Sequence, residues 1–171
     1  MCECYPATMP PMRPPRLLAG FATCLVLASS ATLAALQEDI GALELTQAQV
    51  VLGVGMGIGG PENLPQIQKL AHSINASLAT TRNVTHEGWL PVQIQVGISG
   101  RSITPKVYLA VGIRGAFNHT VGIQKAGVIL ALNQNRRHAI FKSADFGIVG
   151  DWNEFLPPLI EALKPVLAEL G

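Results

Sequence analysis

Short apolar runs bounded by turn residues alternate with helical spacing along most of the chain. Strands are predicted for the apolar runs at residues 49–54, 77–81, 107–111 and 128–133 and for a weaker run at 145–151. Helical spacing separates the first two runs, at Leu64, Ile67, Leu70, Ala71 and Ile74. A similar period at residues 155–170 predicts a C-terminal helix. Strands that alternate with helices predict an α/β fold, a three-layer doubly wound parallel sheet with a helix layer on each face.

The first predicted helix carries a recognisable start signal. Asn63 and Gln66 stand three residues apart, as in a capping box, and Pro65 falls in the first turn. The sequence therefore predicts that the Asn63 side chain caps this helix.

The segments that follow the predicted strands carry the candidate chemistry. Ligands of open parallel sheets bind beyond the carboxyl ends of the strands. The topology should gather there residues 53–60, Arg82, residues 112–119, Asn133 and Asp151. Residues 106–122 stand out, because a strand, a glycine turn and a helix start in succession suit an anion.

Composition limits the function classes. The chain has 171 residues, of which 49% are hydrophobic and 13% charged, so one domain with a sizeable core is expected, at residues 45–171. The net charge is +1 and aromatic residues make up 5%, which argues against nucleic acid as a partner. The one basic cluster, at residues 136–138, is interpreted as a solvated loop. The three cysteines fall within the first 24 residues, so no metal site of Cys and His ligands is expected in the domain.

Residues 1–44 differ from the rest and are predicted to lie outside the domain. A Pro-rich start with Arg13 and Arg16 precedes an uncharged, mostly apolar run at residues 17–36. That order is typical of a signal peptide or a marginal membrane anchor, and a targeting-free extension explains it equally well. Export or membrane anchoring therefore stays open.

A glycine-rich loop at residues 55–60 fits the G-x-G-x-x-G pattern of dinucleotide sites. Such a site uses an acidic residue about twenty positions later for the ribose, and here the second predicted strand ends in Thr81 and Arg82. Glycines selected for close packing explain the loop as well. No nucleophile, base and acid pattern singles out a catalytic site.

Four segments, taken in order, resemble the C-terminal FAD-binding domain of the electron transfer flavoprotein alpha subunit, the FixB-like group: residues 81–91, 95–100, 104–119 and 144–151. The resemblance covers roughly residues 45–170. It implies a DHS-like, Rossmann-like FAD domain and an electron carrier rather than an enzyme with its own substrate. It also implies an electron transfer flavoprotein beta subunit as partner, flavin dehydrogenases as donors, a quinone reductase or similar acceptor, and the cytoplasm or mitochondrial matrix as location.

The same resemblance implies roles at the flavin end of the site. Arg82 would lie over the flavin ring, where a cation favours the reduced, anionic form. The Ser99 hydroxyl would bond flavin N5, with Gln95 just upstream, and His119 would face the pyrimidine oxygen.

Further residues are implied for the phosphate and adenosine parts of FAD. Asn118 would lie near the phosphates, and the turn from Gly112 through Arg114 to Gly115 would meet the pyrophosphate. Asn133 would meet the adenosine and Asp145 its ribose hydroxyls.

Some positions depart from the family's pattern. Met56 stands where the family has arginine, Ile98 replaces a glutamine, Arg114 replaces a serine, and Gln134 and Asn135 replace a lysine and an aspartate. Two alternatives therefore stay open: a truncated or degenerate paralogue with a structural role and no flavin, and an NADP-binding oxidoreductase domain that uses residues 55–60.

Overall fold

The computed structural model of the protein describes residues 43–169, which all belong to one unit, Glu38–Gly171. The apolar run at residues 17–36, interpreted above as signal-like, lies outside these residues. Within residues 43–169, no helix is both long and apolar enough to cross a bilayer.

Five parallel strands form one sheet, in the order β2-β1-β3-β4-β5. The strands are β1 (Val50–Val54), β2 (Ser77–Thr80), β3 (Val107–Val111), β4 (Val128–Asn133) and β5 (Phe146–Val149). Each lies within or coincides with a predicted run, and the α/β fold is confirmed.

Helices connect the strands and cover the sheet. They are α1 (Leu64–Ser73), α2 (Arg82–His86), α3 (Phe117–Ile123), α4 (Ile140–Ser143) and α5 (Trp152–Ala168). Residues 43–47 are also helical, and single 3-10 turns form at Met56–Ile58, Pro61–Asn63 and Val92–Ile94. The predicted C-terminal helix is thus confirmed, with three prolines inside it.

Alternate residues of the central strands feed two separate cores. In β3, Leu109 and Val111 pack on one face with residues of α1 and α5, while Tyr108 and Ala110 pack on the other with Ile123 of α3. Because the strand side chains alternate between faces, a fully apolar strand requires cover on both sides. This explains why β1 and β3 are buried along their whole length.

The predicted capping box is wrong. Asn63 has helical backbone angles, because the 3-10 turn Pro61–Asn63 leads straight into α1, and its side chain makes no cap. Its amide instead donates to the carbonyl of Ile58 at 2.8 Å, and Gln66 donates to Asn153 at 2.9 Å. Both side chains thus connect α1 to neighbouring segments rather than to its own first turn.

Candidate functional site

A cleft of about 410 Å³ opens at the carboxyl ends of β1, β2 and β3. The segments that follow these strands in the sequence form part of its walls, at residues 55 and 56, residues 81–83 and residues 113–116. In the strand order β2-β1-β3, β2 lies on one side of β1 and β3 lies on the other. The direction of strand addition therefore reverses at β1, and such a switch point opens a crevice. Its volume falls in the range of about 300 to 1,000 Å³ that is usual for ligand sites.

Three arginines line the cleft, and no carboxylate of residues 43–169 does. They are Arg82, Arg114 and Arg137, and the imidazoles of His119 and His138 line it as well. Within residues 43–169, none of these arginines forms an ion pair. The arrangement favours an anionic ligand.

The glycine turn after β3 is required by the backbone. Gly112 and Gly115 have φ angles of 64° and 77°, which side chains other than glycine rarely adopt. A β-carbon on Gly115 would also lie 2.1 Å from the backbone nitrogen of Ile140, at the start of α4. The turn therefore places Arg114 at the cleft, and the positions on either side of it in the turn, 112 and 115, require glycine.

The glycine-rich loop after β1 is bonded to this turn. The backbone nitrogen of Gly55 donates to Val111 and that of Gly57 to Gly112, each at 2.9 Å. A β-carbon on either Gly55 or Gly57 would come within 2.7 Å of Gly112 atoms. Close approach of two backbones thus explains these glycines, and the two amides are already used within the protein.

Three polar side chains form a chain of hydrogen bonds beside the cleft. Ser99 is exposed and lines the cleft, while Gln95 is buried behind it, 2.9 Å from its hydroxyl. The Gln95 carboxamide oxygen lies 2.8 Å from the Thr85 hydroxyl. Gln95 therefore fixes the position of Ser99 without lining the cleft itself.

His119 is buried, with both ring nitrogens engaged. Its Nδ1 lies 3.0 Å from the Val96 carbonyl, which can only accept, so Nδ1 carries a proton. Its Nε2 then accepts from the Tyr108 hydroxyl at 3.0 Å. Burial lowers the pKa of His119, with the bond to Val96 opposing, and burial raises the pKa of Tyr108. His119 is thus a neutral imidazole at the cleft wall.

Asn133, at the end of β4, stabilises the loop that follows it. Its amide group donates to the Ile113 carbonyl at 2.8 Å, and its oxygen accepts from Asn135 and from His138 Nδ1. Asn133 is buried and does not line the cleft, but it places His138 there.

Two aspartates flank β5 on opposite edges of the sheet. Asp145 precedes the strand, and its carboxylate accepts from the backbone nitrogen of Ile129 at 2.8 Å, near the amino end of β4. Asp151 follows the strand, caps α5 through Asn153 and accepts from Gln134 at 2.8 Å. Because the strands are parallel, Asp145 lies at the edge away from the cleft.

The structure brings most of the sequence-predicted residues together. Those that line the cleft are Arg82, Ser99, Arg114, Gly115, Asn118 and His119. Those that lie behind its wall are Gln95, Gly112 and Asn133. Asp145 is the one predicted residue that the structure does not bring to this edge.

The interpretation of residues 136–138 as a solvated loop is confirmed, since Arg136 and Arg137 are exposed, but two of its members also belong to the site. Arg137 and His138 line the cleft, because the loop after β4 turns back towards the β3 turn. Their position directly after a buried strand was the available signal, and the topology rule for parallel sheets applies to them as well.

Comparison with known proteins connects this site to a family. Residues 44–124 match the family model described as the electron transfer flavoprotein FAD-binding domain. The chain is 38% identical over 128 residues to the electron transfer flavoprotein subunit alpha of Thermoanaerobacterium thermosaccharolyticum. The aligned segment covers 75% of this chain and 39% of that protein.

Two further relatives show the same extent of similarity. Protein FixB of Escherichia coli O139:H28 is 43% identical to this chain over 122 residues. The aligned segment covers 71% of this chain and 39% of that protein. The electron transfer flavoprotein subunit alpha of Mycobacterium tuberculosis is 40% identical over 115 residues, covering 67% and 36%. The chain thus spans less than two fifths of the length of each of these relatives.

The matched segment runs from before β1 to the end of α3 and contains most of the residues that line the cleft. The cofactor of this family of domains is FAD. A parallel sheet with a cationic cleft at its switch point agrees with that assignment, and residues 44–124 belong to the electron transfer flavoprotein FAD-binding domain family.

Proposed function

We propose that this chain binds FAD in the cleft and acts as the FAD-binding part of an electron transfer flavoprotein. It carries electrons between flavin dehydrogenases and a quinone reductase or similar acceptor, and it has no substrate of its own. Bound FAD supplies the redox chemistry, and the chain's residues bind and orient it. As in the family it resembles, it works in the cytoplasm or the mitochondrial matrix.

The observation that supports this proposal most strongly is the charge of the cleft. Within the part of the chain that the structure describes, three arginines and no carboxylate line it, and FAD carries a pyrophosphate whose negative charges those arginines would neutralise. Arg114 and Arg137 come from different loops, one after β3 and one after β4, and both line the cleft. Residues of this type fit the anionic part of FAD.

The flavin end is served by residues of the β2 loop and by Ser99. Arg82 is exposed at the cleft, where its charge stabilises a reduced, anionic flavin and raises the reduction potential. Ser99 offers a hydroxyl held by Gln95. His119 donates and accepts within the protein, so its contribution is the imidazole surface next to the ligand and not a free proton.

For the adenosine end we propose a residue that the resemblance did not imply. Asn133 is committed to Ile113 and His138, so it acts by shaping the loop. The carboxylate at the ligand edge of the sheet is Asp151 and not Asp145. We include Asp151 in the proposed site and leave Asp145 out.

A partner completes the proposed carrier. The relative from Thermoanaerobacterium thermosaccharolyticum is named a subunit alpha, and a protein with an alpha subunit has at least one other subunit. We propose that an electron transfer flavoprotein beta subunit associates with this domain.

Flavin retention tests the proposal. The full chain is incubated with FAD, separated from free cofactor by gel filtration and examined for flavin absorbance. We expect flavin to comigrate with the protein and Arg82→Ala to lower its reduction potential. A folded protein that stays colourless at saturating FAD would overturn the proposal and favour a structural paralogue without flavin.

The NADP alternative finds no support in the geometry. The loop at residues 55–60 uses the amides of Gly55 and Gly57 for bonds to β3 and its turn, so they are not free to bind a pyrophosphate. A long helix also does not follow the loop directly, since two 3-10 turns precede α1. Competition of NADPH with FAD in the same gel-filtration assay would reverse this view.

A further inference from the structure

The hydrogen bonds around Gln95 have one feature that a static scaffold does not need. The Thr85 hydroxyl lies 2.8 Å from two acceptors, the Arg82 carbonyl and the Gln95 carboxamide oxygen. A hydroxyl has one proton, so it can donate to only one of them at a time. Two alternative patterns are therefore built into the same positions.

In the first pattern, Thr85 donates to the oxygen of Gln95, and the amide nitrogen of Gln95 donates to Ser99 at 2.9 Å. The Ser99 hydroxyl proton is then free to point into the cleft. Ser99 acts as a hydrogen-bond donor towards a ligand.

In the second pattern, the Gln95 carboxamide is rotated by half a turn, which exchanges its oxygen and nitrogen in the same space. Its nitrogen now donates to Thr85, whose proton goes to the Arg82 carbonyl, and its oxygen accepts the Ser99 proton. Both hydroxyl protons have an acceptor, and Ser99 offers the cleft only lone pairs. Ser99 has become an acceptor.

Gln95 is 4% exposed, so water cannot readily substitute for either pattern. A buried carboxamide must keep its bonds, and it therefore passes any change of donor direction at Ser99 on to Thr85. The polarity of an exposed hydroxyl at the cleft is thus set by a buried residue behind it.

A flavin needs such a reversal. Its ring nitrogen N5 accepts a hydrogen bond in the oxidised cofactor and carries a proton, which it can donate, in the fully reduced one. We propose that Gln95 is a positioning residue whose carboxamide rotates between the two patterns, so that Ser99 donates to oxidised flavin and accepts from reduced flavin. This inference rests on the proposed function, since it requires FAD in the cleft.

The orientation of the Gln95 amide tests the inference directly. The full chain, labelled with ¹⁵N and loaded with FAD, is studied by NMR in the oxidised state and after anaerobic reduction with dithionite. We expect nuclear Overhauser contacts from the Gln95 amide protons to the β-protons of Ser99 in the oxidised protein. On reduction these are lost, and contacts to the Thr85 methyl group appear.

Three variants make the reading specific. Gln95→Glu identifies the Gln95 signals by their loss, and Gln93, on the same loop but outside the cleft lining, is a matched amide that should keep its contacts in both states. Ser99→Ala, at an exposed position, should abolish the rotation, while Ser99→Thr should retain it. Rotation that persists in Ser99→Ala would overturn the role of Ser99.

The outcomes separate the two proposals. Bound flavin with an amide that keeps one orientation in both redox states overturns the rotation and leaves FAD binding intact. A chain that retains no flavin overturns the proposed function, and the rotation falls with it.

Discussion

Charged side chains have different surroundings at the two edges of the sheet. At the amino edge, Asp145 is bonded through its side chain and its backbone to Ile129, so its charge serves the fold. At the carboxyl edge, Arg82, Arg114 and Arg137 form no ion pair with residues 43–169 and point their charge at a cleft. The comparison thus places a carboxylate that stabilises the fold at one edge and three arginines without an ion pair in residues 43–169 at the other.

The largest effect should come from the glycine turn at the carboxyl edge. Gly115→Ala should lower the free energy of unfolding by about 3 kcal/mol or more, because a positive φ and a clash with Ile140 act together. Gly88 is a matched control, since its φ of 73° is similar but nothing lies within 4 Å of its would-be β-carbon. Gly88→Ala should cost only about 1 kcal/mol in urea unfolding. Equal losses would show that strain alone matters at Gly115.

Stability should fall in acid through His119. Its pKa is lowered in the folded protein, so its contribution is fully present above the ordinary value of 6.5 and is lost as pH falls below it towards the folded pKa. Below pH 6.5 the unfolding free energy should fall by at most about 1.4 kcal/mol per pH unit from this residue. His119→Gln, measured by urea unfolding across the same pH range, should flatten that part of the profile. An unchanged slope would exclude His119 as its source.

Arg136 and Arg137 test whether a positive charge must line the cleft to strengthen FAD binding. Arg137→Ala should weaken FAD binding by about tenfold, the loss of one charge-assisted hydrogen bond. Arg136→Ala removes the same charge from a residue that does not line the cleft, and should have a much smaller effect. Fluorescence titration of FAD measures both, and equal losses would reduce the effect to net charge.

The smallest effect should appear at the amino edge. Asp145→Ala should lower the free energy of unfolding by about 1 kcal/mol, because the Ile129 nitrogen loses a partly buried acceptor, and FAD affinity should stay the same. Asp145→Asn keeps an oxygen in place and should cost less. A loss of FAD affinity at unchanged stability would return Asp145 to the cofactor site.

Local patterns were sufficient for most of the fold. The run from Val107 to Val111 was predicted residue for residue, because a fully buried strand of a parallel sheet is a continuous apolar run between turn residues. The parallel topology then placed Arg82 and the β3 turn at one edge. The position of Asp145 at the amino edge could not be predicted from the resemblance, which covers a segment whose two ends lie on opposite edges.

What the sequence could not give depends on contacts between distant residues. The hydrogen-bond partners of His119 lie 11 and 23 positions away in the sequence. Gln66 donates a hydrogen bond to Asn153, which lies 87 positions away. The cap expected of Asn63 failed because its backbone angles are set by the preceding turn, which no residue pattern at positions 63–66 reveals. Only the folded chain brings such groups together.

The backbone bonds between the β1 loop and the β3 turn have a consequence for binding energetics. Gly55 and Gly57 join the turn through two amide bonds, and three glycines leave no space between the loops. Two walls of the cleft are therefore assembled before any ligand arrives, and little of the binding free energy goes into ordering them. Slow amide hydrogen exchange at Gly55 and Gly57 in the cofactor-free protein would be the mark of this preorganisation.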